Sequence, residues 1–231
     1  MSQSLVFQTI AKYSEPWRKF HTMQHLAYLW KAYEAACAEN QGYRSYQEIM
    51  EYLIPFHDWV YVPGYEGNEG NEEDSAEFAT YYFTEVMGMD LKTPLATYVS
   101  NPLSSDPTYI RPDAYLNALC RRVPDIIRGT KHHLNPKDQL EALFFDMDFC
   151  GMGSSWEDYL VTSKQITDEY SRLIGWDTFH KGRKAFAESI LCREKIYNLP
   201  EFQKFDAPTR RNLLKELEET KQVLGIFSPE E

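Results

Sequence analysis

Basic residues are the scarce charge in this chain. Lys and Arg number 24 against 35 Asp and Glu, for a formal net charge of −11. Proteins that bind polyanions gather Lys and Arg to displace counterions, so no extended nucleic-acid groove is expected, and no dock for an anionic membrane. A small phosphorylated ligand stays compatible, because a few local cations and a metal ion outweigh a distant field. Cysteine is sparse too: Cys37, Cys120, Cys150 and Cys192 contain no Cys-x-x-Cys spacing, which excludes a zinc ribbon and a thioredoxin-like motif. Isolated thiols fit a reducing compartment. The opening "MSQSLVFQTIAKYSEPWRKF" lacks an apolar run long enough for a signal peptide or a membrane span. A cytoplasmic protein is expected. There is no internal repeat, heptad run or low-complexity tract, and the apolar–polar alternation of strands is rare.

Aromatic residues are plentiful: 16 Tyr, 13 Phe and 5 Trp in 231 residues. Large rings bury much area each, so a ring-rich core with Tyr hydroxyls in need of partners is expected. The length suits a single domain. Most segments read as helices. "WRKFHTMQHLAYLWKAYEAACAEN" (17–40) carries apolar residues at helical spacing without Gly or Pro. "SYQEIMEYLIPFHDWVY" (45–61) reads as helical up to Pro55, with a new helix starting near it. "VPGYEGNEGNEED" (62–74) reads as a surface loop, followed by a helix capped at Asp74 or Ser75 and stopped at Gly88. The proline-rich stretch 91–113 is irregular. "AYLNALCRRVPDIIRGT" (114–130) is a helix broken at Pro124, and "NPKDQLEALFFDMDFCGMG" (135–153) is one that starts at Asn135-Pro136 and ends at its glycines. "SWEDYLVTSKQITDEYSRLI" (155–174), "HKGRKAFAESILCREKI" (180–196) and "PTRRNLLKELEETKQVLGI" (208–226) complete an all-α inventory.

Ionisable side chains in apolar sequence are costly unless paired, hydrogen-bonded or bound to a metal, and the histidines sit in such places. There are six, at 21, 25, 57, 132, 133 and 180. His21 and His25 are four apart and share a face of the expected helix. His57-Asp58 interrupts the run "PFHDWVY", and "GTKHHL" precedes the carboxylates of "FFDMDFCG". Three sources of imidazole and an Asp pair on separate helices can satisfy one another by converging on a cation between facing helices. The mixed donor set suits Mn, Fe, Co, Ni or Zn, and Mg where oxygen dominates. Asp146 and Asp148 stand about 200° apart around a helix, so only one of them faces a given ion; the other turns outward or braces a neighbour. The residues alone leave His21 or His25, and Asp146 or Asp148, open.

In its order His…His-Asp…Asp the chain resembles the HD superfamily of metal-dependent phosphohydrolases. The stretches "YSEPWRKFHTMQHL", "FHDWVY", "NEEDSA", "TKHH", "FFDMDFCGMG…YLVTSKQITDEY", "GRKAFAESILCREKIYNLPEF" and "RRNLLKEL" together resemble one branch, the predicted metal-dependent HD phosphohydrolases of about this length. The resemblance spans nearly the whole chain; Trp59 and "DMDFCGMG" are bulkier than the branch's usual form. It implies an all-α HD-domain helical bundle with additional C-terminal helices, one domain over 1–231 with a core at about 5–175 and C-terminal helices at about 176–231. It further implies that His25, His57, Asp58 and Asp148 are the metal ligands, with His21 as a phosphate-facing or outer group.

Such an ion leaves open positions for water and a phosphate oxygen. Asp58 is expected to orient the water as well as bind the metal, and Glu72 to serve as an outer acid or base. Lys131, His132 and His133 form the best local group for phosphate, with Lys131 and His132 also placed as catalytic; Arg18 and His21 are a second group, and Arg183 and Lys184 a weaker one. A second metal held by His132 or His133 is conceivable. The expected reaction is hydrolysis of a small soluble phosphate ester, most simply a nucleotide. Two other classes stand beside it: a two-iron oxygenase, which needs about six ligands and so recruits His132, His133 or His180, and a non-catalytic module that senses a nucleotide.

Overall fold

A computed structural model describes residues 3–64, 70–91 and 112–223. Among them every regular element is helical and no strand occurs. The α-helices are α1 (Gln3–Lys12), α2 (Met23–Glu39), α3 (Gln47–Phe56), α4 (Asn71–Tyr81), α5 (Pro112–Gly129), α6 (Gln139–Phe149), α7 (Trp156–Ile174), α8 (Trp176–Leu191) and α9 (Asp206–Val223). Short 3₁₀ turns lie at Gln41–Tyr46, Cys150–Gly153 and Pro200–Phe205, and a π turn at Tyr82–Val86 extends α4. No helix among the described residues is long and apolar enough to cross a membrane. Most of the proline-rich stretch 91–113, and part of the loop expected at 62–74, lie outside the described residues.

Several helix ends differ from the sequence reading, each for a local reason. α2 starts at Met23 rather than Trp17, because the Thr22 hydroxyl accepts from the Gln24 amide at 3.3 Å and caps it. α4 begins at Asn71, so the acids of "NEEDSA" form its first turn, where the helix dipole favours negative charge. α6 is capped by Asp138, whose side chain accepts from the Glu141 amide at 3.0 Å. Pro55 stands one residue before the end of α3 at Phe56, close to where the sequence places that end, though no new helix starts there; Pro124 breaks nothing. An internal proline costs about 3 kcal/mol, and Pro124 is embedded in buried apolar sequence (Val123, Ile126 and Ile127) that holds α5 through it. Gly88 does end its helix, at φ 66°.

The chain forms two compact units, one from Met1–Tyr13 and Asn40–Leu134, the other from Ser14–Glu39 and Asn135–Glu231. In the first, α4 packs on α5 and α3 on both. Its centre is a set of rings: Phe56 meets Phe78 edge-on at 5.2 Å between centroids and Tyr82 at 5.2 Å, and Trp59 stacks on Phe78 at 4.2 Å and 7°. The buried Tyr13 hydroxyl donates to the Pro55 carbonyl at 2.9 Å. In the second unit, α2 packs on α6, α7 on α8, and α9 on α8 and on the turn Cys150–Gly153. At Gly153 a Cβ would stand 2.8 Å from Cβ of Phe205 and 2.9 Å from its carbonyl oxygen, so only glycine fits.

Between α7, α8 and α9 lies a closed polar network. Arg183 donates through Nε to Glu216 Oε1 at 2.9 Å and through Nη2 to Glu216 Oε2 at 3.1 Å and Tyr159 Oη at 3.0 Å. The Tyr159 hydroxyl and Ser163 also donate to the same carboxylate. Burial pushes the Glu216 carboxyl up, but the Arg183 guanidinium outweighs it and holds the group below its ordinary range. A depressed carboxyl adds stability above its unfolded pKa and loses it as pH falls through the folded value. Glu216→Gln strands a buried guanidinium, so it should cost roughly 3 kcal/mol at neutral pH. Urea titrations from neutral pH down through the acid range are the check, with the variant's acid limb flatter than the wild type's.

Candidate metal centre

In the first unit the local sequence sets out one imidazole with care. His57 follows the last turn of α3, and its amide donates to Leu53 O at 3.1 Å. Its Nδ1 lies 2.7 Å from Ile54 O. A carbonyl oxygen can only accept, so Nδ1 carries the proton and Nε2 is left as the outward atom. That Nε2 stands 2.9 Å from Asp58 Oδ2, with the His57 side chain 1% exposed and that of Asp58 18%. A neutral Nε2 and a carboxylate are both acceptors and repel at this distance. Only a proton or a cation between or beside them makes the pair favourable, and a backbone carbonyl behind Nδ1 is the arrangement that orients metal-binding histidines.

The flanking residues hold this pair still. Phe56 and Trp59, on either side of it, are anchored in the ring cluster, Trp59 through its stack on Phe78. Ser75, fully buried in α4, accepts from the Val60 amide at 3.0 Å and donates to the Val60 carbonyl at 3.2 Å. Asn71 does the same for Val62, at 3.0 and 3.1 Å. Ser75 is therefore a brace rather than the helix cap expected of it. Glu72, expected at the end of a loop, is half-buried in the first turn of α4. Its neighbour Glu73 accepts two bonds from Arg128, through Nε at 2.6 Å and through Nη2, and these bonds pull its carboxyl below the usual range. Lys131, His132 and His133 form the turn after α5; the His132 and His133 amides donate to Gly129 O at 3.2 and 2.9 Å, and His133 adopts φ 49°. Lys131 and His132 are exposed and His133 is half-buried.

The second unit holds a matching pair. His25, buried in the first turn of α2, has its Nε2 3.4 Å from Asp148 Oδ1 of α6. The two acids of Asp-Met-Asp divide as their spacing requires. Asp146 is buried and braces the segment before Pro200–Phe205, accepting from the Asn198 amide and side chain at 2.9 and 2.8 Å and from the Leu199 amide at 2.7 Å. Burial pushes its carboxyl up to about 6, against the pull of those donors.

His21 does not lie on α2 with His25; it precedes the helix, in a turn gathered by Glu169 of α7. Glu169 Oε1 accepts from the amides of Lys19, Phe20 and His21 at 2.6, 2.8 and 2.9 Å, and Oε2 lies 2.7 Å from His21 Nδ1. The His21 and His25 rings still meet edge-on, 5.6 Å apart. Arg18 is buried and holds the same turn, through Nε to Glu15 at 3.1 Å and Nη1 to His21 O at 3.2 Å. His180 rests against Trp176 and Phe179, its ring centroid 4.0 and 5.2 Å from theirs. Arg183 belongs to the Glu216 network, and Lys184 pairs with Glu188 at 2.8 Å.

Sequence reasoning missed Glu169, Ser75, Asn71 and the Glu73–Arg128 pair. A signal existed for Glu169, which shares a helix face with Tyr159 and Ile166 and so places an acid at an inward position. The other three depend on partners distant in sequence. No family model, curated protein or solved structure matches the chain.

Ser75→Ala removes both partners of Val60 at once. Burying unpaired backbone groups costs about 1–3 kcal/mol, so the urea midpoint should fall with little change in slope. Amide exchange at Val60 should quicken more than exchange in α5; equal protection in the variant would show that Ser75 does not brace the His57-Asp58 segment.

Proposed function

We propose that the chain is a metal-dependent phosphohydrolase of HD type, working over 1–231 as one catalytic domain on a small soluble phosphate ester, most simply a nucleotide, with neither an extended nucleic acid nor a membrane as partner. The observation that carries the reading is the His57 imidazole, with Nδ1–H committed to Ile54 O and Nε2 left 2.9 Å from Asp58 Oδ2. The donor chemistry of His57 and Asp58 fits a divalent ion, and the proposal adds His25 as a further ligand. Asp148, against His25, is the fourth ligand of the proposal. Two imidazoles and two carboxylates supply a mixed set suited to Mn, Fe, Co, Ni, Zn or Mg and balance the ion's charge.

A bound divalent ion supplies Lewis-acid polarisation of the phosphoryl group and acidifies a water. The protein's own groups do the rest. Asp58 orients the attacking water, whose oxygen bonds to phosphorus as the ester P–O bond breaks, and Glu72 takes up or returns a proton. The leaving oxygen gains its proton from His132 or through solvent. Charge on the phosphoryl oxygens is met by Arg18, His21, Lys131, His132 and His133. In that role Arg18 acts through the turn it holds, since its guanidinium is already bonded to Glu15 and His21 O.

The test is elemental analysis of protein purified without air, followed by a hydrolysis screen over nucleotides and generic phosphate esters with each divalent ion. His57→Ala and Asp58→Ala should both lose the metal and lose turnover by at least about a hundredfold, while circular dichroism keeps most of the helix signal. Wild-type turnover in either variant removes the assignment, and two irons per chain would replace it with an oxygenase.

A further inference from the structure

We infer that a cavity between α2 and the turn Pro200–Phe205 holds the base of a nucleotide whose phosphate lies at the His25–Asp148 pair; the inference rests on the hydrolase reading for the phosphate. The cavity lies wholly within the second unit and has a volume of about 210 Å³. Pockets that take a whole drug-sized ligand run to about 300–1,000 Å³, and a single water needs only about 15 Å³. The space is therefore too large for one ordered water and suited to a single ring system. α2 leads from the proposed ligands into it. Residues 25, 28, 32 and 36 recur at helical spacing and share a face. His25 meets Asp148 at 3.4 Å, and one turn further on the Tyr28 hydroxyl meets Cys150 Sγ at 3.3 Å. Past these two rungs the face turns to Ala32 and Ala36, and there the cavity opens. Leucines like those that α2 buries at 26 and 29 would close it. Ala32 stands about 10 Å along the axis from His25, the reach of a nucleoside from its phosphate to its base.

The walls are aromatic and held in place by the protein itself. Phe202 is buried and packs on Phe205, their centroids 6.2 Å apart. Tyr28, besides its contact with Cys150, lies over Gly151, where a Cβ would stand 3.6 Å from the ring, yet it remains 38% exposed. The Glu39–Lys204 ion pair ties the end of α2 to the turn, and Lys204 Nζ sits 5.5 Å from the centroid of the Phe205 ring. Every base has a π-face, so stacking on such rings takes any of them. Lys31 and Glu201 also line the cavity, a donor and an acceptor for the mixed polar edge of a base. An aliphatic ligand would use neither.

Alanine-methyl NMR of the wild-type protein, titrated with adenosine, guanosine, cytidine and uridine, is the direct test, since none of these probes carries a phosphate. At least one should shift the Ala32 and Ala36 methyls through its ring current and leave that of Ala27, exposed on α2 and outside the cavity, in place. Ala32→Phe fills the cavity with a ring of its own and should abolish the shift at Ala36. In the same variant kcat/KM for nucleoside monophosphates, taken as a ratio to that for glycerol phosphate, which brings no ring, should fall about ten- to a hundredfold. Ala27→Phe serves as a control and should keep the wild-type ratio. Methyls that no nucleoside moves, methyls that hexanoate moves and nucleosides do not, or a wild-type ratio in Ala32→Phe would each overturn the inference. Should Ala32→Phe fail to fold, the wild-type titrations still decide it. If the wild type hydrolyses no phosphate ester with any ion, the hydrolase reading falls, and the methyl shifts still decide whether the cavity takes a base. If it hydrolyses esters and no nucleoside binds, the cavity assignment falls and the hydrolase reading stands.

Discussion

A neutral imidazole has one donor and one acceptor, and the main chain decides which is which at His57. With its Nδ1–H bound to the carbonyl of Ile54, the ring can offer only a lone pair or a second proton to Asp58 Oδ2, 2.9 Å away. In water this would matter little. In a side chain 1% exposed the choice carries a penalty, since an unmatched acceptor pair in a low dielectric is far more costly than in solvent. Either the imidazole is charged and the pair is a buried ion pair, or a cation satisfies both groups. The second solution also makes use of the fixed tautomer, which the first does not need.

Such a pair persists only if its backbone cannot relax away from it, and much of the first unit serves that end. Rings at 56 and 59 lock into the cluster with Phe78 and Tyr82, while Ser75 and Asn71 replace a strand partner for Val60 and Val62 with side-chain donors and acceptors. The bulk of Trp59 becomes intelligible here, because its ring fills the face of Phe78. The second unit reaches the same end by other means. Asp146 and Glu169 each take several backbone amides, so the carboxylates on α6 and α7 act as anchors for irregular segments, and the residue two beyond Asp146 is left to meet His25.

How legible this was in the sequence depends on the range over which each feature is decided. Helical class came through because apolar spacing is local and repeated, and the stop at Gly88 acts within a turn. The start of α2 was misplaced by several residues because a run without Gly or Pro gives no warning that Glu169, far along the chain, will draw off the amides of 19–21. Pro124 misleads for a related reason: proline's local cost is fixed, and the packing that absorbs it is not local. His57-Asp58 stood out as charge inside aromatic sequence, and the division of labour between Asp146 and Asp148 followed from helix geometry alone. Ser75, an ordinary polar residue near a helix start, looks like a cap because capping is what such residues do when no distant backbone claims them.

The chain's charge fits the proposed chemistry better than it first suggests. At −11 overall, the protein repels a phosphate ester from a distance and attracts divalent cations. Screening shortens both effects to about 8 Å at physiological ionic strength, so close to the ligands only neighbouring groups count. Several acids are already matched within their own units: Glu73 by Arg128, Glu15 by Arg18, and Glu169 by His21 and three amides. On the proposed reading the carboxylates left to meet an ion are Asp58 and Asp148, each beside an imidazole, and two of them neutralise a divalent cation. A polymer with many phosphates would meet the chain's excess of acid along its length, whereas a small ester brings only one phosphoryl group.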